Sequence, residues 1–145
     1  MPKPPLVADL TWKQRLEFTA TTAKTTFVLD SAGVAGPSPT DSLAAALAGC
    51  MAMDVAHVLT KGRHVFTALQ ARLVAERALQ DPHRIVSATL HFVLEAPREA
   101  GAQPGPHPLH HVMERAISLS RDKYCSVWHS LRQDISFQVT FDLVP

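Results

Sequence analysis

The sequence predicts an α+β fold, and three patterns indicate it. A helix start at Ser38 and Pro39 precedes a long apolar stretch over 43–58. Residues 135–143 alternate apolar and polar side chains without a break, which is typical of a strand with one buried face. Two further alternating segments lie between them, so strands and helices are interspersed along one chain.

The pattern of the N-terminal sequence predicts strands followed by a helix with clear capping residues. Residues 10–30 have the pattern of a β-hairpin or a pair of strands, and a Gly/Pro loop follows over 31–37. Ser38 is the expected N-cap of the helix, and Asp41 is placed to reach back to that cap. Lys61 and Gly62 supply the C-terminal signals, so the helix should end there.

The long helix is apolar around nearly its whole circumference. A helix of that kind must be covered by protein on every side, and one small domain rarely provides enough cover. We therefore expect a second copy of the chain to supply the rest. Asp54 and His57 interrupt the apolar stretch, which favours a buried helix over a membrane span.

The C-terminal half predicts a strand pair, a loop, helices and a last strand. Alternating residues over 69–76 and 86–94 form two strands joined by a turn at 80–83. A proline-rich loop over 97–108 precedes an amphipathic helix over 109–123 and a shorter one over 126–133.

Length and charge bound the function. The 145 residues predict one domain over 1–145, with 46% apolar and 19% charged residues. The formal net charge of +1 offers no basic surface for nucleic acid or an anionic membrane. The N-terminal segment lacks the apolar core of a secretory signal, so we expect a cytoplasmic protein with reduced thiols.

Cys50 and Cys125 are the only cysteines. They form a structural disulfide, fill space in the core, or act as an attacking and a resolving thiol. Cys50 lies in the middle of the apolar helix, which disfavours the thiolate, and Asp54 four residues later would oppose it further. A reactive Cys50 therefore needs a cation from another part of the chain.

Cys125 precedes a predicted helix start, where free backbone N–H groups favour a thiolate. Arg121 and Lys123 are close to it in sequence. The alternative is that Cys125 is only a small side chain in a tight turn between helices.

The histidines provide no comparable site. His107 and His110 flank Pro108 in a segment predicted to be an extended loop, so we predict no metal site. A hydrolase pair of Cys50 and His57 is excluded because the two would lie about 10 Å apart along the helix.

The segments GPSPTDSLAAALAGCMAMDV and LSRDKYCSV, preceded by TWKQRLEF, resemble the OsmC/Ohr family of osmotically inducible and organic-hydroperoxide-resistance proteins. The likeness is to the OsmC-like branch and covers most of the chain in order. It implies an intertwined homodimer in which antiparallel sheets wrap around long central helices. It also implies that Cys50 attacks a hydroperoxide and that Cys125 resolves the product as a disulfide.

The resemblance further implies a catalytic arginine in the N-terminal strand region, where Arg15 is the only arginine. Peroxidase members carry a glutamate ten residues before the first cysteine, and here that position is Thr40. Asp41 beside it is a possible auxiliary carboxylate, although the capping role is the simpler one.

Two functions follow. The first is thiol-dependent reduction of an organic hydroperoxide, with a dithiol reductant of lipoyl or thioredoxin type and no metal or organic cofactor. The second is a non-catalytic OsmC-like dimer that binds a small apolar ligand, an alternative favoured by Thr40.

Overall fold

The structure is a computed structural model that describes residues 2–145. Its residues divide into two compact units, the first ending at Leu43 and the second running from Ala44 to Pro145. The prediction of a single domain over 1–145 remains a prediction.

The first unit contains a three-stranded antiparallel meander in the order β1-β2-β3. Its strands are β1 (Asp9–Gln14), β2 (Glu17–Thr21) and β3 (Thr26–Asp30). The sequence predicted a hairpin or a pair of strands over 10–30, and the structure has one strand more. A register irregularity between Trp12 and Gln14 and a tight turn at Arg15 separate the first two strands, and this turn carries no glycine or proline signal.

The helix α1 (Pro39–Lys61) has the predicted bounds. The Asp41 backbone N–H donates to the Ser38 Oγ at 3.1 Å, which confirms Ser38 as the N-cap. By length and composition this helix could cross a membrane, a test that core helices of globular proteins also pass. One stripe of α1, spaced at four-residue intervals, enters the core: Leu47, Met51, Val55 and Leu59.

The second unit also contains a three-stranded sheet, in the order β4-β5-β6. Its strands are β4 (Ala68–Arg77), β5 (Ile85–Glu95) and β6 (Ser136–Val144). The central strand β5 buries the face predicted from its alternation, including Leu90, Phe92 and Leu94, all with no exposed surface.

The strand β6 lies parallel to β5, whereas β4 is antiparallel to it. The α+β class is confirmed, but this sheet is mixed and not wholly antiparallel as expected. The reason is the connection: two parallel strands cannot be joined by a tight turn and need a crossover, usually helical. Here the crossover consists of α2 (His110–Leu119), a π-helical turn (Ser120–Tyr124) and α3 (Ser126–His129).

The predicted helix over 109–123 is thus an α-helix that changes into a π-helical turn, and the predicted helix over 126–133 is shorter than expected. The main hydrophobic core lies in the second unit between α1, the crossover and β5. Met113 and Ala116 of α2 are fully buried in it, and the ring of Trp128 packs on Phe137 of β6 at 4.7 Å between centroids. The crossover is therefore held against the sheet by core contacts.

Candidate functional site

The two cysteines are neighbours in the second unit. Both are free thiols, and Cys50 lies close enough to the Cys125 thiol to raise its pKa. Cys125 has no exposed surface, whereas Cys50 is partly exposed. One thiol is thus partly accessible, and the other is enclosed.

Helix α1 positions Cys50 by its register. Cys50 is the residue before the fully buried Met51, so its side chain lies at the edge of the core-facing stripe and not at its centre. This placement accounts for the partial exposure of a thiol in the middle of an apolar helix.

The π-helical turn positions Cys125. The Cys125 N–H donates to the Ser120 carbonyl at 2.8 Å, a bond that spans five residues and closes the wider π turn. Cys125 then has extended backbone angles and caps α3, where its Sγ accepts the Trp128 N–H at 3.4 Å. Single π turns within helices are frequent at functional sites, and this one ends at a thiol.

Burial raises the pKa of the Cys125 thiol to about 11, against an ordinary value of 9.0. The Trp128 N–H acts in the opposite direction, while Cys50 and Asp54 raise the pKa further. The expectation that the helix start would favour a Cys125 thiolate is therefore wrong. The helix start and its N–H group are present, but their effect is smaller than the cost of burying the charge.

The nearby cations do not offset that cost. Arg121 lies over the ring of Phe137 at 5.4 Å from the centroid, and Lys123 lies over the ring of Tyr124 at 5.4 Å. Both cations are thus engaged with aromatic rings. The charges that act on Cys125 are instead those of Cys50 and Asp54, and both raise its pKa.

Asp54 has a specific partner that sequence reasoning missed. The Ser120 hydroxyl donates to the Asp54 Oδ2 at 2.7 Å, and Ser120 has no exposed surface. Two hydrogen bonds therefore join α1 to Cys125: Asp54 to Ser120, and Ser120 to Cys125. The signal in the sequence is that Asp54 is the only Asp, Glu, Lys or Arg between Asp41 and Lys61, and such a residue in an apolar helix requires a polar partner.

Arg15 belongs to the first unit, at the turn between β1 and β2. Its backbone is left-handed with φ 45°, its side chain is exposed, and its carbonyl accepts the Trp12 indole N–H at 2.8 Å. It lines an open cleft of about 540 Å³ together with Glu17 and Asp30.

Asp30 is the carboxylate that Arg15 influences. Backbone N–H groups of Ala35 and Ala32 lower the pKa of Asp30, burial opposes them, and Val34 and Arg15 lower it further. Asp30 is therefore the carboxylate of this unit whose pKa Arg15 lowers, although no ion pair joins the two within residues 2–145.

Thr40 and Asp41 both lie in the first turn of α1 and are exposed. The Thr40 hydroxyl lies 3.4 Å from the Ser38 Oγ, and the Asp41 backbone N–H is capped by the same atom. Within residues 2–145 the Asp41 carboxylate has no ion pair. These contacts favour capping over an auxiliary catalytic role.

His107 is fixed as a structural residue. Its Nδ1 accepts the Leu109 N–H at 3.0 Å, so its Nε2 carries the proton and donates to the Ala96 carbonyl at 3.1 Å. Across the described part of the chain, no three His, Cys, Asp or Glu side chains converge as metal ligands do.

Comparison with known proteins defines the class. The OsmC-like protein family matches residues 29–140, and the chain belongs to that family. Protein YhfA of Escherichia coli strain K12 is 28% identical over 139 residues, which cover 94% of this chain and 97% of YhfA.

Two solved structures show the same fold. An OsmC-like protein from Mycoplasma pneumoniae has a TM-score of 0.77 at 14% identity, covering 99% of this chain and all of that one (100%). A Legionella pneumophila structure described as an organic hydroperoxide resistance protein has a TM-score of 0.63 at 12% identity, covering 98% of this chain and 99% of that one. The predicted OsmC-like fold is confirmed by these matches.

Proposed function

We propose that this protein reduces organic hydroperoxides with Cys50 as the attacking thiolate and Cys125 as the resolving thiol. The observation that carries the proposal is the neighbouring pair of free thiols, one partly exposed and one enclosed, in an OsmC-like chain. Solved relatives of the same fold that are described as organic hydroperoxide resistance proteins support the substrate class.

The reaction has three steps. The Cys50 thiolate attacks the terminal oxygen of the hydroperoxide, the O–O bond breaks, and the alkoxide takes a proton to leave as the alcohol. The Cys50 sulfenic acid then condenses with the Cys125 thiol, which forms the disulfide and releases water. A dithiol reductant, of lipoyl or thioredoxin type, restores both thiols by exchange. A reducing compartment such as the cytoplasm would keep the pair in its reduced state.

Asymmetric exposure favours this assignment of roles. An attacking thiol must meet a substrate from outside, and Cys50 is the partly exposed member of the pair. A resolving thiol only has to reach the oxidised partner, and Cys125 is buried next to it. Apolar side chains surround Cys50 along α1, which suits an organic hydroperoxide better than hydrogen peroxide.

Arg15 is our proposed source of the positive charge that stabilises the Cys50 thiolate and the departing alkoxide. The substitution Arg15→Met should slow the reaction with peroxide and leave both thiols intact. Lys13→Met is the matched control, because it removes an exposed cation from the same β1 region. Equal rates in the two variants would exclude Arg15 from the reaction.

We also propose that the protein is a homodimer with α1 near the interface. Met53 is 73% exposed and Leu43 is 38% exposed in the single chain, although both lie in an apolar helix. Such a helix needs further cover, and permanent homodimers bury more than about 2,000 Å². Met53→Lys should shift the sedimentation coefficient towards the monomer, whereas Leu79→Lys, at a 90% exposed position beside the β4–β5 turn, should not. A monomer at every concentration of the unmodified protein would contradict the proposal.

The decisive experiment is mass spectrometry after one equivalent of cumene hydroperoxide. The unmodified protein should lose both thiols to an intramolecular disulfide, without cross-linked chains. Cys125→Ser should instead accumulate a sulfenic acid on Cys50 that dimedone traps. Cys50→Ser should consume no peroxide even with excess dithiol. Undiminished consumption by Cys50→Ser would refute the peroxidase and favour the non-catalytic dimer that binds a small apolar ligand.

A further inference from the structure

The enclosed position of Cys125 creates a problem for the second step of the proposed reaction. A thiol must lose its proton as it attacks a sulfenic acid, and the departing hydroxyl must gain one to leave as water. Burial, Cys50 and Asp54 all keep Cys125 protonated at neutral pH. A group beside the thiol that accepts the proton would therefore speed the step.

Asp54 is placed to do so. It lies one helical turn after Cys50 on the same face of α1, so its carboxylate is on the side of the attacking thiol. The charge of Asp54 also acts on the Cys125 thiol. The titratable groups that raise the pKa of Cys125 are thus both on α1, Cys50 and Asp54.

Ser120 holds the carboxylate in place. Its buried hydroxyl donates to one oxygen, Oδ2, at 2.7 Å, while its carbonyl holds the Cys125 N–H at 2.8 Å. No other side-chain hydrogen bond within residues 2–145 involves Asp54, and no buried side-chain oxygen there lacks a partner, so Oδ1 is unpartnered and accessible. Ser120 therefore holds both the Asp54 carboxylate and Cys125 in place. One oxygen of that carboxylate remains to accept a proton.

We propose that Asp54 is the proton-transfer residue of the resolving step and that Ser120 is its positioning residue. As the Cys125 sulfur attacks the Cys50 sulfur, the S–H proton passes to the Asp54 Oδ1. The S–O bond of the sulfenic acid breaks, and the carboxyl group returns that proton to the departing hydroxyl. One S–S bond and one water form, Cys125 is oxidised, the sulfenic sulfur is reduced, and Asp54 ends as the carboxylate.

The transfer is favourable overall although a carboxylate is a weak base for a buried thiol. The proton travels from a thiol with a pKa of about 11 to a hydroxide, whose conjugate acid is the far weaker acid water. Asp54 is only an intermediate carrier, so it need not hold the proton as a stable species. General acid–base catalysis of this kind contributes about 10²–10⁴-fold.

This inference rests on the proposed peroxidase function, and Asp54→Asn tests it. Asparagine keeps the shape and can still accept the Ser120 hydroxyl, but it cannot carry the proton. Rapid mixing with one equivalent of cumene hydroperoxide should give the Cys50 sulfenic acid at a rate no lower than that of the unmodified protein. The disulfide should then form roughly a hundredfold more slowly, at the lower end of the range for acid–base catalysis.

The sign of the effect distinguishes proton transfer from simple electrostatics. If Asp54 acted only through its charge, removing it would lower the pKa of Cys125, increase the thiolate fraction and speed disulfide formation. Disulfide formation as fast as, or faster than, that of the unmodified protein would therefore overturn the proposal. Asp122→Asn, which removes an exposed acid from the same π-helical turn, is the matched control and should leave both rates unchanged.

The pH profile is the second measurement. In Asp54→Asn the slow residual step should use the Cys125 thiolate alone, so its rate should rise about tenfold per pH unit through the neutral range. The unmodified protein should show a much flatter profile, and equally steep profiles would overturn the proposal. Ser120→Ala should slow the disulfide step less than Asp54→Asn does and keep the flat profile, because the carboxylate remains. If dimedone traps no sulfenic acid in any variant, the proposed function itself has failed, and this outcome is distinct from a fast disulfide step.

Discussion

The pKa of the Cys125 thiol can be measured directly, and the structure predicts that it is raised. The thiol has no exposed surface, and its pKa is raised from 9.0 to about 11, with burial as the largest cause. Two pKa units correspond to a hundredfold smaller thiolate fraction below pH 9. At pH 7, roughly one Cys125 thiol in ten thousand should be ionised.

The assay is an ultraviolet titration of thiolate absorbance in a protein with one thiol and no tyrosine. Cys50→Ser leaves Cys125 as the only thiol, and Tyr124→Phe removes the only phenol that would absorb in the same region. Phenylalanine retains a ring beneath Lys123. Absorbance is used because alkylation of a fully buried thiol would also measure access.

The midpoint should lie above 9.0 and at or somewhat below 11, because the contribution of Cys50 is gone while burial remains. Adding Asp54→Asn should lower it further, because the negative charge that raises the pKa is lost. A midpoint at or below 9.0 in the first variant would refute the reasoning, since burial could then not be the dominant effect.

Three further predictions concern stability. Leu90→Ala, in the fully buried centre of β5, should lower the free energy of unfolding in urea by about 2–5 kcal/mol, whereas its exposed neighbour Thr89→Ala should cost less than about 1 kcal/mol. Because the pKa of Asp30 is lowered in the folded protein, its ionised carboxylate stabilises the fold above pH 3.8. This stabilisation is lost as the pH falls through the lowered pKa. Asp30→Asn should therefore lower the Tm at neutral pH and reduce its acid dependence. The raised pKa of Cys125 gives the opposite pH dependence, because its contribution to the free energy of unfolding is complete below pH 9.0. That free energy should fall by up to about 3 kcal/mol as the pH rises to about 11. Urea unfolding of Cys125→Ser should not show this loss.

Patterns that depend on local chemistry could be predicted from the sequence. The cap at Ser38 follows from a side chain that contacts the backbone of its own helix, and the end of α1 near Lys61 follows from a cation that favours the C-terminal end of the helix dipole. The buried face of β5 follows from alternation, which needs only one buried side. The tight turn at Arg15 has no such signal, because arginine is not a residue that favours positive φ. One strand was missed for that reason.

The site was predictable only in part. The two cysteines could be identified by their scarcity and by the family resemblance, and Asp54 could be noted as an unusual charge in an apolar helix. The pairing of Asp54 with Ser120 could not, because it joins residues 66 positions apart across a tertiary contact. The π turn that brings Ser120 to Cys125 also lacks a sequence signal, since an α-helical pattern continues through it.

The enclosed position of Cys125 has a consequence for the order of events in the proposed reaction. A Cys125 that was ionised at rest would compete with Cys50 for oxidants and would undergo exchange with any small disulfide. Burial and the charges of Cys50 and Asp54 disfavour both reactions because they raise the pKa of Cys125. If Asp54 also carries the proton once the Cys50 sulfenic acid is present, one carboxylate has two effects on Cys125. It disfavours the thiolate in the reduced protein, and it accepts the thiol proton during disulfide formation. The hydrogen bonds of Ser120 to Asp54 and Cys125 would then couple the two roles, because they keep the carboxylate and the thiol together in both states.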